Sequence, residues 1–175
     1  MLAKDALITG IGKFPKNERI LDGLMQLYTS EEGVGDPADL VTLIDSAIAD
    51  NPENVDLWFG RGRIFYALKN YDESIASFKK VVELKPDLFE GNYYLGVFYT
   101  IKADEMNKVM NEKQYSSQTA YDTDLKEVNA VYMDAVPWFE KAYELKKDDV
   151  NTLDFLKSIC FRLQDRKSTR LNSSH

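Results

Sequence analysis

The chain has 175 residues, of which 44% are hydrophobic, and this content suffices for one continuous core without indicating a second globular domain. Its formal net charge of −7 argues against nucleic acid as a partner, because phosphate-binding surfaces concentrate Lys and Arg. No segment approaches the roughly 20 consecutive apolar residues that span a bilayer, so we expect a soluble chain without membrane insertion and leave cytoplasm and periplasm open.

The first 54 residues carry helix-period apolar segments. Residues 4–15 are typical of a last helix, so we interpret 1–16 as the end of a preceding helical pair. Residues 17–54 form a second, degenerate pair, whose first helix lies around 21–28. Its second helix should begin at Asp36 and Pro37, because an acidic cap followed by proline is a frequent helix start.

Residues 55–88 show the clearest pattern, with two helix-period segments whose apolar faces require each other for burial. The residues that should pack this pair together are Trp58, Gly62, Phe65, Ser74 and Phe78, and the pair ends at Pro86. Gly62 and Ser74 are small, as is required where two helices approach closely. Between the helices, a left-handed Asn70 should end the first and Asp72 should cap the second.

Residues 89–149 repeat this order with about 27 additional residues, relative to a unit of about 34 residues. The matching positions are Leu95, Gly96, Tyr99, Ala135, Phe139 and Ala142. The insert, residues 101–134, should lengthen both helices into an antiparallel hairpin closed by the polar segment 115–123. Its predicted apolar seam consists of Met106, Val109, Met110, Leu125, Val128 and Val131. Pro137 should bend the returning helix.

Residues 150–164 are predicted to be the first helix of an incomplete pair. Leu153, Leu156 and Cys160 would present part of an apolar face there, so we expect the chain to self-associate. Cys160 is the only cysteine; it can form no internal disulfide, and we expect it to be a buried thiol. Residues 165–175 resemble one reading frame of a sequencing adapter and are interpreted as a non-native tail.

The residues of the 55–88 pair resemble the tetratricopeptide repeat. The shared positions are Trp58, Gly62, Phe65, Phe78 and Pro86, whereas Arg61 stands in place of a Leu and Ser74 in place of an Ala. The resemblance implies an all-α solenoid of helical hairpins, wound as a right-handed superhelix and carrying one elongated hairpin. That hairpin and the phrase AVPWFEKAYELKKDD also resemble repeat proteins of Bacteroidetes-type bacteria.

The same resemblance implies a scaffold that holds a peptide or helix of another protein in a concave groove. The positions that match groove positions of the family are Phe59, Arg63, Tyr66, Tyr93, Val97 and Thr100. Aromatic residues beside an Arg suit an apolar anchor next to an acidic group. Tyr66 and Tyr93 could instead cover a neighbouring helix. The inserted hairpin is a second candidate surface.

An alternative function is a ligand-binding or regulatory segment of a larger bacterial enzyme or uptake assembly, in which groove aromatics stack on a glycan. For the chain itself we expect no enzymatic activity, cofactor or metal. The only histidine, His175, lies in the interpreted tail, which removes the usual base and the commonest metal ligand. Gly60 and Gly62 lie inside a predicted helix, which favours packing over phosphate binding.

Overall fold

The computed structural model describes residues 36–172 and nine isolated earlier positions, numbers 6, 9, 10, 13, 14, 17, 19, 20 and 23. Between 36 and 172 the chain is helical, without a strand, which confirms the all-α prediction for these residues. The helices are α1 Pro37–Asp50, α2 Val55–Ala67, α3 Tyr71–Leu84, α4 Phe89–Glu112, α5 Gln118–Leu145 and α6 Val150–Asn172. The chain divides into two compact units, Met1–Pro86 and Asp87–His175. The helices predicted at 4–15 and 21–28 fall largely outside the described residues.

Short polar side chains start most of these helices. The carboxylate of Asp36 accepts a hydrogen bond from the Ala38 amide at 2.9 Å, with Pro37 as the first helical residue, as predicted. Asn54, Ser117 and Asp149 cap α2, α5 and α6 in the same way. Local sequence therefore sets where these elements begin.

The turn between α2 and α3 differs from the prediction in two residues. Lys69, and not Asn70, has the left-handed backbone, with φ 58°. Asn70, and not Asp72, caps α3, because its side-chain oxygen accepts a hydrogen bond from the Glu73 amide at 3.3 Å. An Asn side chain can supply either feature, and here capping takes precedence, so the left-handed position falls to its neighbour.

A close contact joins α2 to α3 at Gly62. A Cβ atom added there would lie 2.4 Å from the ring of Phe78, which is fully buried. Beside it, the Ser74 hydroxyl donates to the Gly62 carbonyl at 2.8 Å. Phe59 packs edge-on against the same ring, at 4.9 Å between centroids. Small residues and one aromatic ring thus set the separation of these two helices.

Arg61, at a position where the family signature has Leu, ties three helices together. Its Nε donates to Asp45 of α1 at 2.7 Å, and its Nη2 donates to Glu73 of α3 at 2.9 Å. Its Nη1 donates to the Ser77 hydroxyl at 2.7 Å, and the guanidinium lies 4.4 Å from the ring centre of Phe65. The Arg61 side chain is only 14% exposed, whereas Asp45 and Glu73 are about half exposed, so a largely buried guanidinium bonds to two carboxylates at the surface.

One apolar cluster of the first unit lies between α1 and α2, in addition to the buried side chains between α2 and α3. Its buried members are Leu40, Ile44, Ile48, Leu57 and Ile64. Trp58 packs against this cluster and is half-buried, and its indole N–H donates to the Pro52 carbonyl at 2.8 Å. The Trp58 ring is therefore held in place, with no further donor to satisfy.

The second unit is dominated by the long antiparallel pair α4 and α5, of 24 and 28 residues. Met110, Leu125 and Val128 are buried in the hairpin seam, and Met106 and Val131 pack against it. Val109, predicted in the seam, is 64% exposed. The seam follows Met106 and Met110 along one face, and Val109 is about 100° away from Met110 around the helix. α5 continues through Pro137, and the bend there stays a prediction.

Closer to the base of the hairpin, Gly96 of α4 repeats the arrangement seen at Gly62. A Cβ atom on Gly96 would lie 2.9 Å from the ring of Phe139, which is fully buried. Leu95, Ala135 and Ala142 are also fully buried, whereas Tyr99 packs against the core from its edge. The two units therefore use the same small-against-aromatic contact.

α6 is attached to this hairpin by rings and by a polar tie. Phe155 stacks on Phe139 with 4.9 Å between centroids. The buried Tyr132 of α5 donates its hydroxyl to Asp104 of α4, and Arg162 of α6 donates to the same hydroxyl at 3.2 Å. Arg162 also pairs with Asp104 at 3.3 Å. These polar contacts join α4, α5 and α6.

The outer side of α6 carries apolar side chains that face solvent. Phe161 is 68% exposed and Val150 66% exposed. Cys160 is exposed, so the prediction of a buried thiol is wrong: Ile159 takes the buried position, and the next residue points about 100° away. The helical backbone extends to Asn172, beyond the predicted end at 164. Self-association through this side stays a prediction.

Gly62→Ala should destabilise the protein by about 1–2 kcal/mol, because overpacking against Phe78 outweighs a gain of about 1 kcal/mol in helix propensity. Urea unfolding followed by circular dichroism measures this. The double variant Gly62→Ala/Phe78→Leu should lose less than the sum of the two single changes, since the smaller side chain makes room. A Gly62→Ala variant as stable as the parent would contradict the close contact.

Arg61→Lys should lower the free energy of unfolding by about 1–2 kcal/mol, because one ammonium cannot reproduce a three-way planar donor packed on Phe65. The control is Lys80→Ala, which removes only an exposed pair with Glu83 and should change stability by less than about 0.5 kcal/mol. Equal losses from the two variants in urea unfolding would show that Arg61 is not a specific tie.

Candidate protein-binding surface

The three groove positions predicted on α2 lie three and four residues apart, so they share one side of the helix. Phe59 is only 3% exposed and packs on Phe78, which makes it a support and not a contact surface. Arg63 is half-buried, and Tyr66 is 41% exposed. The accessible part of this side is therefore the outer part of the Arg63 side chain, whose Nη1 is buried, followed one turn later by the phenol of Tyr66.

A second tyrosine extends this surface towards α3. Tyr71, the first residue of α3, lies with its ring centre 6.4 Å from that of Tyr66, tilted by 45°. Sequence reasoning did not select Tyr71, although its position directly after the turn placed it beside the end of α2. Tyrosine pairs of this kind combine apolar ring area with hydroxyl groups, as is common in protein interfaces.

The three predicted positions on α4 are less accessible. Thr100 is 7% exposed, and its hydroxyl donates to the Gly96 carbonyl within the same helix at 2.9 Å. Val97 packs against the apolar core of the second unit. Only Tyr93 presents a polar atom on this side, and its ring is half-buried.

Tyr93 belongs to an aromatic cluster that joins α4, α5 and α6. Its ring stacks on Phe89 at 5.6 Å between centroids and meets Phe139 and Phe155 edge-on, at 6.1 and 6.0 Å. Tyr94 lies edge-on to it at 5.5 Å. Partial burial, followed by the nearby Asp149 carboxylate, raises the pKa of Tyr93. Tyr93 therefore covers neighbouring helices, the alternative considered for it from the sequence.

The hairpin, the second candidate surface, ends in an ordered polar and aromatic tip between α4 and α5. Lys113 donates to Asp124 at 2.7 Å, and the Tyr115 hydroxyl donates to the same carboxylate oxygen at 2.8 Å. Tyr115 also meets Tyr121 edge-on at 5.3 Å. Partial burial raises the pKa of Tyr115 to about 12, and its bond to Asp124 adds to the rise. The Lys113 hydrogen bond in turn lowers the pKa of Asp124.

Two further properties concern only the described residues. None of their helices is both long and apolar enough to cross a membrane. Nor do their His, Cys, Asp and Glu side chains form a group of three or more that could hold a metal ion.

Comparison with known proteins identifies the repeat. Residues 29–88, which include α1 to α3, match the tetratricopeptide repeat. A crystal structure of a candidate protein-binding protein from Bacteroides ovatus is 13% identical, with a TM-score of 0.56 covering 93% of this chain and 98% of that one. At that identity the likeness shows the fold alone. Together these findings confirm the predicted all-α, tetratricopeptide-type fold class.

Two other solved structures are more distant in geometry. A tetratricopeptide repeat protein from Parabacteroides merdae is 15% identical, with a TM-score of 0.40 covering 97% of this chain and 69% of that one. MamA is 18% identical, with a TM-score of 0.38 covering 83% and 81%. No curated protein matches the sequence.

Asp124→Asn should lower the pKa of Tyr115 from about 12 towards the ordinary tyrosine value of about 10, without reaching it, because partial burial remains. In the parent protein the raised pKa stabilises the fold below about pH 10, and this contribution is lost as pH rises towards 12. The measurement is a pH titration of the Tyr115 ring by NMR. Asp122→Asn, at a neighbouring carboxylate, should leave the value unchanged, and an unchanged value in Asp124→Asn would contradict the contact.

Proposed function

We propose that this chain, whose residues 29–88 match the tetratricopeptide repeat, is a protein-interaction scaffold that binds a peptide or helix of a partner. The observation that carries the proposal is the accessible pair Arg63 and Tyr66 on one side of α2. The neighbouring Phe59 of that side is buried, so the two accessible residues project from a fixed base. A partner would thus meet a preorganised surface, which lowers the entropy lost on binding.

The chemistry of the pair suggests which partner segment it fits. A guanidinium forms paired hydrogen bonds with a carboxylate, whereas a tyrosine ring packs against an aliphatic or aromatic side chain. Arg63 and Tyr66 lie three residues apart, close to one helical turn, so both groups can contact one short segment. We therefore propose a partner segment with an acidic residue next to an apolar one.

The proposal concerns only the α2 positions of the first unit. There, the buried Phe59 supports Arg63 and Tyr66 from below. The glycan alternative receives no specific support, because the Tyr93 ring is already in contact with Phe89, Phe139 and Phe155. Tetratricopeptide proteins are typically non-enzymatic scaffolds, and we infer the same for this chain.

The double variant Arg63→Ala/Tyr66→Ala tests the proposal. The immobilised parent chain should recover one protein partner from a lysate of the source cells, and the double variant should recover at least about tenfold less, since hot-spot residues contribute 2 kcal/mol or more. Quantitative mass spectrometry of the bound fraction measures the ratio. The recovered partner is then titrated as a purified protein.

The matched control is Glu83→Ala/Leu84→Ala on α3, which also removes one charged and one large apolar side chain that are exposed. This control should bind the partner like the parent. An equal loss of partner binding in both double variants, or no loss of binding in Arg63→Ala/Tyr66→Ala, would contradict the proposed surface. Binding of a glycan array, abolished by Tyr93→Ala in a folded protein, would favour the alternative function.

A further inference from the structure

A second surface of the first unit has the shape and chemistry of a binding site. An open depression of about 510 Å³ lies between α1, α2 and α3. Its lining residues are Asp45, Ile48, Ala49, Trp58, Arg61, Glu73, Ala76 and Lys80. The depression is open to solvent over most of its surface.

In the apolar part of the depression, no side-chain hydrogen-bond donor still needs a partner. Ile48, Ala49 and Ala76 contribute aliphatic surface, and the Trp58 ring contributes aromatic surface. The indole N–H of Trp58 is already bonded to the Pro52 carbonyl, so the ring offers only its apolar faces and edges. An aliphatic or aromatic side chain could therefore enter without leaving a donor unpaired.

In the charged part of the depression both cations are paired, whereas each carboxylate keeps one oxygen that Arg61 does not use. The Arg61 guanidinium already donates three hydrogen bonds, one each to Asp45, Glu73 and Ser77, so it is not available to an incoming anion. Lys80 is paired with Glu83 at 2.7 Å. Asp45 and Glu73 each use one oxygen for Arg61, and among the described residues the second oxygen accepts no hydrogen bond.

Both carboxylates are also accessible, with side-chain exposures of 47% for Asp45 and 46% for Glu73. The lining carries two carboxylates, Asp45 and Glu73, and two cations, Arg61 and Lys80, so its formal charge is zero. An incoming ammonium or guanidinium would gain the two remaining oxygens without breaking the Arg61 bonds.

We propose that this depression binds a partner peptide through one aliphatic or aromatic side chain that is followed by a Lys or Arg. The apolar side chain lies against Trp58 and Ala76, and the cation lies between the second oxygens of Asp45 and Glu73. The chain's overall charge of −7 adds a long-range attraction for such basic segments.

This site is separate from the surface around Arg63 and Tyr66. Arg61 and Arg63 are two positions apart on α2, which corresponds to about 200° around the helix, so they point to nearly opposite sides. The two sites also prefer opposite charges in a partner. A variant at one site therefore leaves the other intact, and each proposal can fail alone.

The test uses the full chain and three acetylated, amidated hexapeptides with the sequences Gly-Ser-Leu-Lys-Ser-Gly, Gly-Ser-Leu-Glu-Ser-Gly and Gly-Ser-Gly-Lys-Ser-Gly. Binding is followed by NMR at the indole N–H of Trp58, assigned through Trp58→Phe, with Trp138 in the second unit as internal reference. The Leu-Lys peptide should shift the Trp58 signal and bind about tenfold more tightly than either other peptide. A higher salt concentration should weaken binding of the Leu-Lys peptide more than binding of the Leu-Glu peptide.

Ala76→Arg should weaken binding of the Leu-Lys peptide by at least about tenfold, because the new side chain fills the depression and adds a positive charge that repels the peptide lysine. Ala67→Arg, an equivalent change at another exposed alanine of this unit, should have no effect. Ala49→Arg repeats the test from α1 if circular dichroism shows Ala76→Arg to be misfolded. Each of three results would overturn the proposal. They are equal affinities for the Leu-Lys and Leu-Glu peptides, unchanged binding of the Leu-Lys peptide by the Arg variants, and no shift of the Trp58 indole N–H signal.

Discussion

The first unit depends on the close approach of α2 and α3 at Gly62. The Phe78 ring occupies the space that a side chain at Gly62 would need, and the Ser74 hydroxyl bonds to the carbonyl of that glycine. Backbone separation and rotation are therefore fixed together, because the ring can lie only against the bare side of α2. That rotation directs Arg61 towards α1 and α3 and leaves Arg63 and Tyr66 on another side. Both proposed binding surfaces follow from this one packing constraint.

Each unit adds a polar tie to its ring packing. In the first, Arg61 joins three helices through two carboxylates and a hydroxyl; in the second, the Tyr132 hydroxyl, Asp104 and Arg162 join three others. Ring packing alone restricts separation but tolerates sliding along the helix axes, whereas directional hydrogen bonds oppose that sliding. In the second unit such a tie also gives α6 a specific attachment, although its outer side exposes Phe161. Order in the last helix is thus supported by polar contacts as well as apolar ones.

The sequence predicted which segments are helical, the long hairpin and the type of repeat, because the spacing of apolar residues indicates which side of a helix is buried. It was wrong at Val109 and Cys160, where a step of one residue turns a side chain by about 100° out of the seam. It placed Phe59 and Thr100 in a groove by family position, whereas both are buried. The Arg61 tie could not be predicted, since its partners are 12 to 16 positions away and lie on helices whose rotation the spacing does not specify.

The left-handed backbone at Lys69 is a site where one substitution could stabilise the protein, in evolution or by engineering. A non-glycine residue at φ 58° is held against its intrinsic preference, at a cost of about 1 kcal/mol that glycine would not incur. The Lys69 residue is exposed, and its backbone amide donates to the Tyr66 carbonyl at 2.9 Å at the end of α2, a bond that glycine would retain. Replacing Lys69 by glycine could therefore raise thermal tolerance and offset a mildly destabilising mutation elsewhere.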